Sequence, residues 1–279
     1  MSPDPNPSPS ATLSAETDQP IVSFQNVSIA FDGKPVLQDI SFEVYEAETR
    51  IILGPAGCGK SVLMKLVNGL LRPDNGTIKV FGQNVTAMRE RDLFALRARI
   101  GMVFQESALF DSLSVEENVA YRLNEEGIPP EQSHARVVEA LHFVELDHAI
   151  TKYPSELSGG MRRRVSIARA IITKPDLILY DSPTGGLDPI TSTTIVELVV
   201  KQRDVSHTTS LLITHRLQDA FTLAMSHFNQ TTGKMERLPN NGIDDSTRFL
   251  VLNEGKIVFD GSTLELVRST DPWIKDYLS

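Results

Sequence analysis

Cysteine is the scarcest reactive residue of the sequence, with Cys58 alone among 279 residues. One thiol cannot close an internal disulfide, so we expect the chain to work in a reducing compartment. The sequence also lacks an apolar run of about 18 residues, the length that a membrane-spanning helix requires. No basic segment followed by a hydrophobic one opens the chain, so we expect no secretory signal.

Basic residues are fewer than acidic ones, and the formal net charge is −9. That balance argues against a general nucleic-acid binder. The basic triplet 162–164 is the exception, and we expect it to be a solvated helix face. Residues 1–20 are rich in Pro, Ser, Asp and Thr and nearly free of large apolar side chains, which predicts a disordered tail. The folded domain is therefore expected to cover 21–279, and its 41% apolar content is ordinary for a globular protein.

The stretch 54–61 organises the sequence, because it fits the pattern G-x-x-x-x-G-K-[ST]. Its residues are Gly54, Pro55, Ala56, Gly57, Cys58, Gly59, Lys60 and Ser61. The glycines allow a tight turn whose amides point inward, and a helix starting near Lys60 directs its positive end at bound phosphates. Lys60 is then expected to reach the β- and γ-phosphates, and Ser61 to offer its hydroxyl to Mg²⁺. Cys58 is interpreted as a small residue at a permissive position.

Strand-like stretches surround this loop. Residues 21–45 alternate and contain a turn signal at 32–35, which predicts an antiparallel β-layer. Buried strands are predicted at 50–53, 100–104, 177–181 and 210–214. Two of them end at Asp181 and His215, and Gln105 follows a third, where it is uninformative on its own. Ligands of α/β sheets bind at such carboxyl ends, so Asp181 and His215 are candidates for one site.

The middle of the chain, about 106–172, is predicted to be a helical subdomain. Ser114 followed by Glu117 is a capping box, and Leu157-Ser158-Gly159-Gly160-Met161 precedes a basic helix. A polar insertion at about 225–248 contains a predicted β-hairpin, interpreted as a surface excursion. Residues 263–278 are predicted to be helical. The histidines show no metal-ligand spacing with cysteine, so no zinc site is expected.

In this order, the motifs resemble those of the ATP-binding cassette (ABC) family across about residues 21–275. They are the loop 54–61, Gln105, the 157–161 signature, the strand 177–181, the loop Gly186-Leu187-Asp188 and His215. The resemblance implies an α/β P-loop NTPase fold, an ABC nucleotide-binding domain. Such a domain has a RecA-like core, an antiparallel β-subdomain and a helical subdomain. It also implies ATP hydrolysis with Mg²⁺ in a head-to-tail pair of chains.

More narrowly, the chain is similar to the ATP-binding subunits of Mla/Mce-type phospholipid transporters. This likeness rests on 103–113, on Met161 in place of the commoner Gln, and on the ending 271–278. It implies integral-membrane permease subunits and MCE-type lipid-binding proteins as partners. It places the chain on the cytoplasmic face of the inner membrane. The lipid and the direction of transport do not follow from the sequence.

The resemblance also implies residue roles. Phe31 stacks on adenine, and Lys60 with the amides of 54–61 holds the phosphates. Ser61 and Gln105 contact Mg²⁺, and Asp181 holds it through water. From the second chain, Ser158 and Gly160 approach the γ-phosphate beside Gly159, while Asp188 crosses the dimer seam. His215 contacts the γ-phosphate.

One position departs from the family pattern, because Ser182 follows Asp181 where the family usually carries Glu. That Glu polarises the attacking water, and a serine hydroxyl is a far weaker base. Losing a general base typically costs about 10²–10⁴ in rate. The sequence leaves three explanations open: an engineered trap, a natural cassette with slow turnover, or another group acting as base.

Three function classes share this set of motifs. The first is a transport ATPase. The second is a chromosome or DNA-repair ATPase of the same superfamily, which is rejected because no sustained heptads lie between Lys60 and Leu157. The third is a nucleotide-gated binding subunit that does not turn over, which Ser182 favours.

Overall fold

The computed structural model describes residues 19–239 and 242–279. The predicted tail therefore lies almost entirely outside the described residues. Three sheets occur in the described part, with two, four and six strands. None of the helices described there combines the length and the apolar character that crossing a bilayer requires.

The four-stranded sheet forms the predicted antiparallel layer. Its spatial order is β2 (Lys34–Val44), β1 (Val22–Phe31), β4 (Asn75–Val80) and β5 (Gln83–Asn84). Strand β1 runs continuously from Val22 to Phe31, with a register shift between Phe24 and Val27. Asn26 lies inside the shift with φ 50°, and this breaks the alternation of the strand.

The six-stranded sheet carries the strands that were predicted to be buried. Its spatial order is β12 (Lys256–Ser262), β11 (Thr247–Asn253), β3 (Thr49–Leu53), β8 (Thr209–Ile213), β7 (Leu177–Asp181) and β6 (Ile100–Val103). The five strands from β11 to β6 are parallel, and β12 pairs antiparallel with β11. Because both faces are covered, β3 and β8 are buried along their whole length.

Side-chain alternation divides this sheet between two cores. Ile51, Tyr180 and Leu212 belong to the core on the side of the helices of the middle region. Ile52 and Leu179 belong to the other core, which the antiparallel sheet and the helix after the 54–61 loop complete. The sheet is thus held between two apolar layers, which fixes the positions of the loops at its carboxyl edge.

Nine α-helices lie in the described part of the chain. They are α1 (Lys60–Val67), α2 (Glu90–Arg97), α3 (Val115–Glu125), α4 (Pro130–Phe143), α5 (Gly159–Ile171), α6 (Pro189–Ser206), α7 (Leu217–Ala224), α8 (Thr263–Val267) and α9 (Pro272–Leu278).

Local sequence signals explain most helix ends. The capping box predicted at Ser114 and Glu117 begins α3. Residues 104–114 form a loop rather than the start of the helical block, which corrects the prediction for that segment. The predicted C-terminal helix is two helices, because Pro272 lacks an amide hydrogen and Asp271 caps a new helix. The subdomain boundaries stay a prediction.

The hairpin predicted in the 225–248 insertion is confirmed. It consists of β9 (Ser226–Asn229) and β10 (Lys234–Arg237), paired antiparallel. The hairpin is fastened to α6, since the amide of Met235 donates to Glu197 at 2.9 Å and the amide of Phe228 to Asp204 at 2.6 Å. The insertion therefore extends the fold over one helix.

Candidate functional site

Four adjacent strands deliver their following loops to one edge of the sheet. β3, β8, β7 and β6 are parallel neighbours, and their last residues lie nearly level. Ile213 is paired with both Ile52 and Asp181, while Val103 is paired with Tyr180. The 54–61 loop, the residues after Ile213, Ser182 and the segment after Val103 are therefore brought together, as the strand ends predicted.

The 54–61 loop needs glycine for two different reasons. Gly54, Gly57 and Gly59 all have positive φ, at 147°, 79° and 105°. A Cβ on Gly54 would lie 2.3 Å from the Leu252 carbonyl oxygen, and one on Gly59 would lie 2.6 Å from Leu37. At Gly57 there is open space, so only the backbone conformation requires glycine there. The loop leads directly into α1, whose amino end is a favourable anion position.

Lys60 lies folded over its own loop. Its Nζ donates to the carbonyl oxygens of Gly54 and Pro55, both at 2.7 Å. Cys58 is buried beside it, with Sγ 3.6 Å from Nζ. An ammonium group held by neutral carbonyls can exchange them for a phosphate, because the phosphate adds the attraction between opposite charges.

Ser61 and Asp181 lie near each other, although α1 and β7 supply them separately. The Ser61 hydroxyl is close enough to lower the pKa of the Asp181 carboxyl. Burial raises the pKa of Asp181 above its ordinary value of 3.8, while the Ser61 hydroxyl and the charges of Lys65 and Lys60 act in the opposite direction. Hydroxyl and carboxylate oxygens are ligands that Mg²⁺ accepts, so this pair fits a magnesium site beside a phosphate loop.

Gln105 lies at the same edge but faces a different neighbour. A Cβ built on Gly185 would come within 3.4 Å of the Gln105 amide carbon, so the side chain packs on the loop that follows β7. Its role toward Mg²⁺ stays a prediction. In the described residues no group of three His, Cys, Asp or Glu could hold a metal, so an ion at this edge needs other oxygen ligands.

Ser182 occupies a tight turn directly after Asp181. Its φ is 47°, and only 8% of the residue is exposed. The Ser182 amide donates to the Ile213 carbonyl at 2.9 Å, and its own carbonyl accepts from the Gly185 amide at 2.9 Å. The position is well defined, and it presents a hydroxymethyl group where a base is expected.

The 157–161 signature sits at the start of α5. Ser158 caps this helix, accepting from the Met161 amide at 3.2 Å, and both Ser158 and Gly159 are exposed. A Cβ on Gly160 would lie 2.3 Å from the Thr191 methyl group. Thr191 also donates to Asp188, from its amide at 3.0 Å and its hydroxyl at 2.6 Å. These bonds hold the pKa of Asp188 below its ordinary range. The signature and Asp188 therefore lie side by side.

Phe31 and His215 complete the set of predicted residues. Phe31 ends β1 with 42% of its surface exposed. His215 is exposed two residues beyond the end of β8. Both rings are accessible from solvent, so neither is committed to a core.

Three residues of this region were missed by the sequence predictions. Tyr277 of α9 accepts a hydrogen bond from the Gly54 amide at 3.0 Å, which joins the C-terminal helix to the 54–61 loop. Arg216, beside His215, donates to the Ser192 hydroxyl at 2.6 Å and forms an ion pair with Asp219 at 3.2 Å. Arg163 is 4% exposed, so the prediction of a solvated face at 162–164 is wrong for this residue.

Comparison with known proteins adds a family profile and close relatives. The profile described as ABC transporter matches residues 37–185. Methionine import ATP-binding protein MetN 1 of Bacillus thuringiensis subsp. konkukian (strain 97-27) is 41% identical over 201 residues, covering 71% of this chain and 59% of that protein. Intermembrane phospholipid transport system ATP-binding protein MlaF of Escherichia coli (strain K12) is 33% identical over 259 residues, covering 92% and 88%.

A solved structure has the same fold. It is the dimeric post-hydrolysis state of the ATP-binding cassette MJ0796 bound to ADP and Pi. It superposes with a TM-score of 0.73 at 26% identity, covering 86% of this chain and 98% of that one. This chain thus spans 59% of the MetN relative but nearly all of MlaF and of the MJ0796 cassette.

Proposed function

Since the chain belongs to the ABC transporter family of ATP-hydrolysing subunits, we propose that it binds MgATP at the 54–61 loop and drives phospholipid transport. The observation that carries the lipid assignment is the extent of similarity to MlaF, which runs along 92% of this chain and 88% of that protein. The match to MetN 1 has higher identity but leaves 41% of that protein uncovered, so methionine import is the weaker candidate.

Within this proposal, the described contacts divide the work at the site. Lys60 and the amides of 54–61 hold the phosphates, with Phe31 on the adenine. Ser61 and Gln105 take the Mg²⁺, and Asp181, which lies near Ser61, holds it through water. Bound Mg²⁺ supplies charge neutralisation for phosphoryl transfer, which depends on positioning more than on covalent chemistry. His215 contacts the γ-phosphate from the end of β8.

The rest of the site comes from a second copy of the chain. Ser158, Gly159 and Gly160 are at the surface and make their own contacts with α5 and α6. We propose that they meet the γ-phosphate held by the partner copy, with Asp188 beside them at the seam. The MJ0796 cassette of the same fold is a dimer, which supports this arrangement.

The proposed transport partner is a membrane permease on whose cytoplasmic side the chain is bound. A groove of about 320 Å³ lies beside the loop that carries Gln105. The residues that line it include Phe104, Ala108, Phe110 and Tyr121. An amphipathic helix of a permease fits such a groove through its apolar side. MCE-type lipid-binding proteins belong to the same proposed assembly.

A second candidate function is a nucleotide-gated subunit that closes on ATP without hydrolysing it. The observation favouring it is Ser182, whose buried turn provides no carboxylate next to Asp181. The two candidates differ in one measurable quantity, steady-state phosphate release by the purified assembly.

The test of nucleotide binding is calorimetric titration of Lys60→Ala with ATP and Mg²⁺. We expect affinity to fall by about 10- to 100-fold, the effect of losing one charge-assisted contact. Lys79→Ala is the matched control, since Lys79 is exposed on β4. Undiminished affinity of the Lys60 variant would remove the assignment of the 54–61 loop.

The test of substrate class is transport by the assembly that copurifies with the tagged chain from membranes. The assembly is reconstituted in liposomes that contain fluorescent phospholipid. Transfer of this lipid to acceptor vesicles is expected to depend on ATP. ATP-dependent methionine uptake without lipid transfer is the result that would replace the lipid proposal.

A further inference from the structure

Arg163 is a buried cation whose hydrogen bonds join two loops of the site. It lies on α5 and is 4% exposed. Its guanidinium donates to the Phe104 carbonyl at 2.9 Å and also to the Gln105 carbonyl. Both acceptors belong to residues 104–108, the loop that follows β6 and carries Gln105.

The same guanidinium reaches the loop that follows β7. It lies 3.4 Å from the carbonyl oxygen of Ser182 and 3.4 Å from that of Gly185. The planar fork of arginine can serve several acceptors at once, which a lysine ammonium cannot match. One side chain thus connects Gln105 to the turn at Ser182 and to the start of the segment leading to Asp188.

Carbonyl groups, rather than an acid, compensate this charge. Among the described residues no carboxylate lies within 4.0 Å of Arg163, and its Nε has no hydrogen-bond partner. Burial lowers the pKa of Arg163, and the more distant charge of Glu106 acts against that shift. A buried arginine that binds only backbone carbonyls of two loops serves to hold those loops.

A second arginine of α5 holds the other end of the 104–108 loop. Arg169 donates to the carbonyls of Ser107 at 3.0 Å and Ala108 at 2.7 Å. Arg169, Phe104 and Ala108 also line the groove described above. The 104–108 loop is therefore bound to α5 along its length and borders the groove, while Arg163, unlike Arg169, also reaches the β7 loop.

We propose that Arg163 is a positioning residue that fixes the 104–108 loop and the 182–185 turn as one unit. A displacement of the groove wall then moves Gln105 and the residue-182 position together. The part concerning hydrolysis rests on the proposed function. The mechanical part concerns this chain alone and does not depend on ATP.

Amide hydrogen exchange of the full chain without nucleotide tests the mechanical part. The reporting amides are Ser107, Ala108, Ser182 and Gly185, all hydrogen-bonded within or next to the two loops. Arg163→Gln should speed their exchange at least about tenfold in both loops. Arg164→Gln is the matched control, since Arg164 lies on the same helix but donates to Val144 at 3.2 Å and Glu145 at 3.5 Å.

The control should speed exchange only near 144–146. Arg163→Lys keeps the charge but cannot reach all four carbonyls, so it should loosen the 182–185 turn. If Arg163→Gln does not fold, Arg163→Lys decides the question. Parental exchange in either loop of Arg163→Gln overturns the proposal; if only Arg163→Lys folds, parental exchange in its 182–185 turn does.

Phosphate release and ATP titration test the functional part. Arg163→Gln should leave ATP affinity within about threefold, because the 54–61 loop is untouched, and lower kcat at least about tenfold. The Arg164 control should lower neither. If the parent chain binds no ATP, the proposed function fails while the exchange result still decides the role of Arg163. A parental kcat in Arg163→Gln overturns the catalytic part of the inference.

Discussion

Ser182 is held in a defined turn by the fold, but it lacks the carboxylate that the family usually carries at this position. Its backbone is held by Ile213 and Gly185, and its φ of 47° is already that of a residue under mild constraint. Any L-residue with a longer side chain meets the same backbone conformation, at a cost of about 1–2 kcal/mol in the left-handed region. Serine and glutamate therefore bear the same backbone strain at this position. The chemical effect of the missing carboxylate can be tested by substitution.

We expect Ser182→Glu to raise steady-state phosphate release by about 10²–10⁴-fold, because it supplies a carboxylate that can polarise water. Release is measured at saturating ATP and Mg²⁺ within the assembly. Ser182→Gln is the matched control, since it has the same shape without the charge, and it should stay at the parental rate. Brisk parental release that Ser182→Glu leaves unchanged would mean that another group positions the water.

Asp181 carries an electrostatic cost in the absence of Mg²⁺. Burial raises its pKa above 3.8 in the folded chain, so folding favours the protonated form. The corresponding stability is fully present below the ordinary pKa and is lost as pH rises through the raised one. Above the raised pKa the carboxylate is ionised and partly desolvated, which lowers the free energy of unfolding.

Asp181→Asn should therefore raise the melting temperature of the nucleotide-free chain at pH 7, and the gain should shrink as pH falls toward 4. Melting curves across this pH range measure it. Asp188→Asn is a control of opposite sign, because Thr191 lowers the pKa of Asp188 and the variant loses that favourable charge at neutral pH. The Asp181 variant should also lose stabilisation by MgATP. A gain independent of pH contradicts the electrostatic explanation.

Among the elements, the strands were the most predictable from sequence. A continuous apolar run ending in a polar residue predicted β7 with Asp181 at its end and β8 shortly before His215. Both strands are buried on two faces, so their apolar composition alone predicts a buried position. The elements predicted less well are those in which one backbone feature interrupts a pattern, such as Asn26 in β1 and Pro272 before α9.

Helix α5 shows what the sequence analysis missed. A basic triplet reads as a solvated face when only charge is considered. Arg163 precedes Ile167 by four residues and Ala170 by seven, and all three are buried on one side of the helix. Helical periodicity could have placed Arg163 on the inner face. It could not have shown the four carbonyls, because these come from two loops distant in sequence.

The groove beside the 104–108 loop is the element expected to receive the permease. Phe110 is 42% exposed there, and its ring lies 4.6 Å from that of Tyr121. Phe110→Asp should place a charge on an apolar docking surface and release the chain from its membrane partner. The neighbouring Leu109 is less suitable for this test, because it packs in part on the core and its substitution also affects stability.

Copurification of partner and chain after mild detergent extraction measures this effect. Val258→Asp is the matched control, because Val258 is a similarly exposed apolar residue on β12, outside the groove. We expect at least a tenfold loss of copurified permease for Phe110→Asp and none for the control. Equal retention by both variants means that the docking site lies elsewhere.

For the whole molecule, the family resemblance, and not the strand pattern, implied that a second chain supplies the signature. Strand ends collect Lys60, Asp181 and His215 at one edge. The signature, by contrast, makes its described contacts within its own chain. Ser158 caps α5, and Gly160 packs against Thr191. Motif spacing carries no information about this separation, which depends on the relative orientation of α5 and the sheet.

A site divided in this way predicts that ATP joins two copies. With MgATP, the parental chain should double its mass in solution, since each nucleotide is enclosed by the 54–61 loop of one copy and the signature of the other.

Because Ser182 provides no carboxylate to activate water, the pair should outlast many turnover times of a cassette with Glu there. Size-exclusion chromatography with light scattering, sampled over time after excess ATP is removed, measures its lifetime. Ser182→Glu should shorten that lifetime in proportion to its gain in phosphate release, Ser182→Gln should keep it, and Lys60→Ala should form no pair. A parental pair that forms equally well without ATP, or that dissociates as fast as that of Ser182→Glu, contradicts the proposed link between hydrolysis and opening.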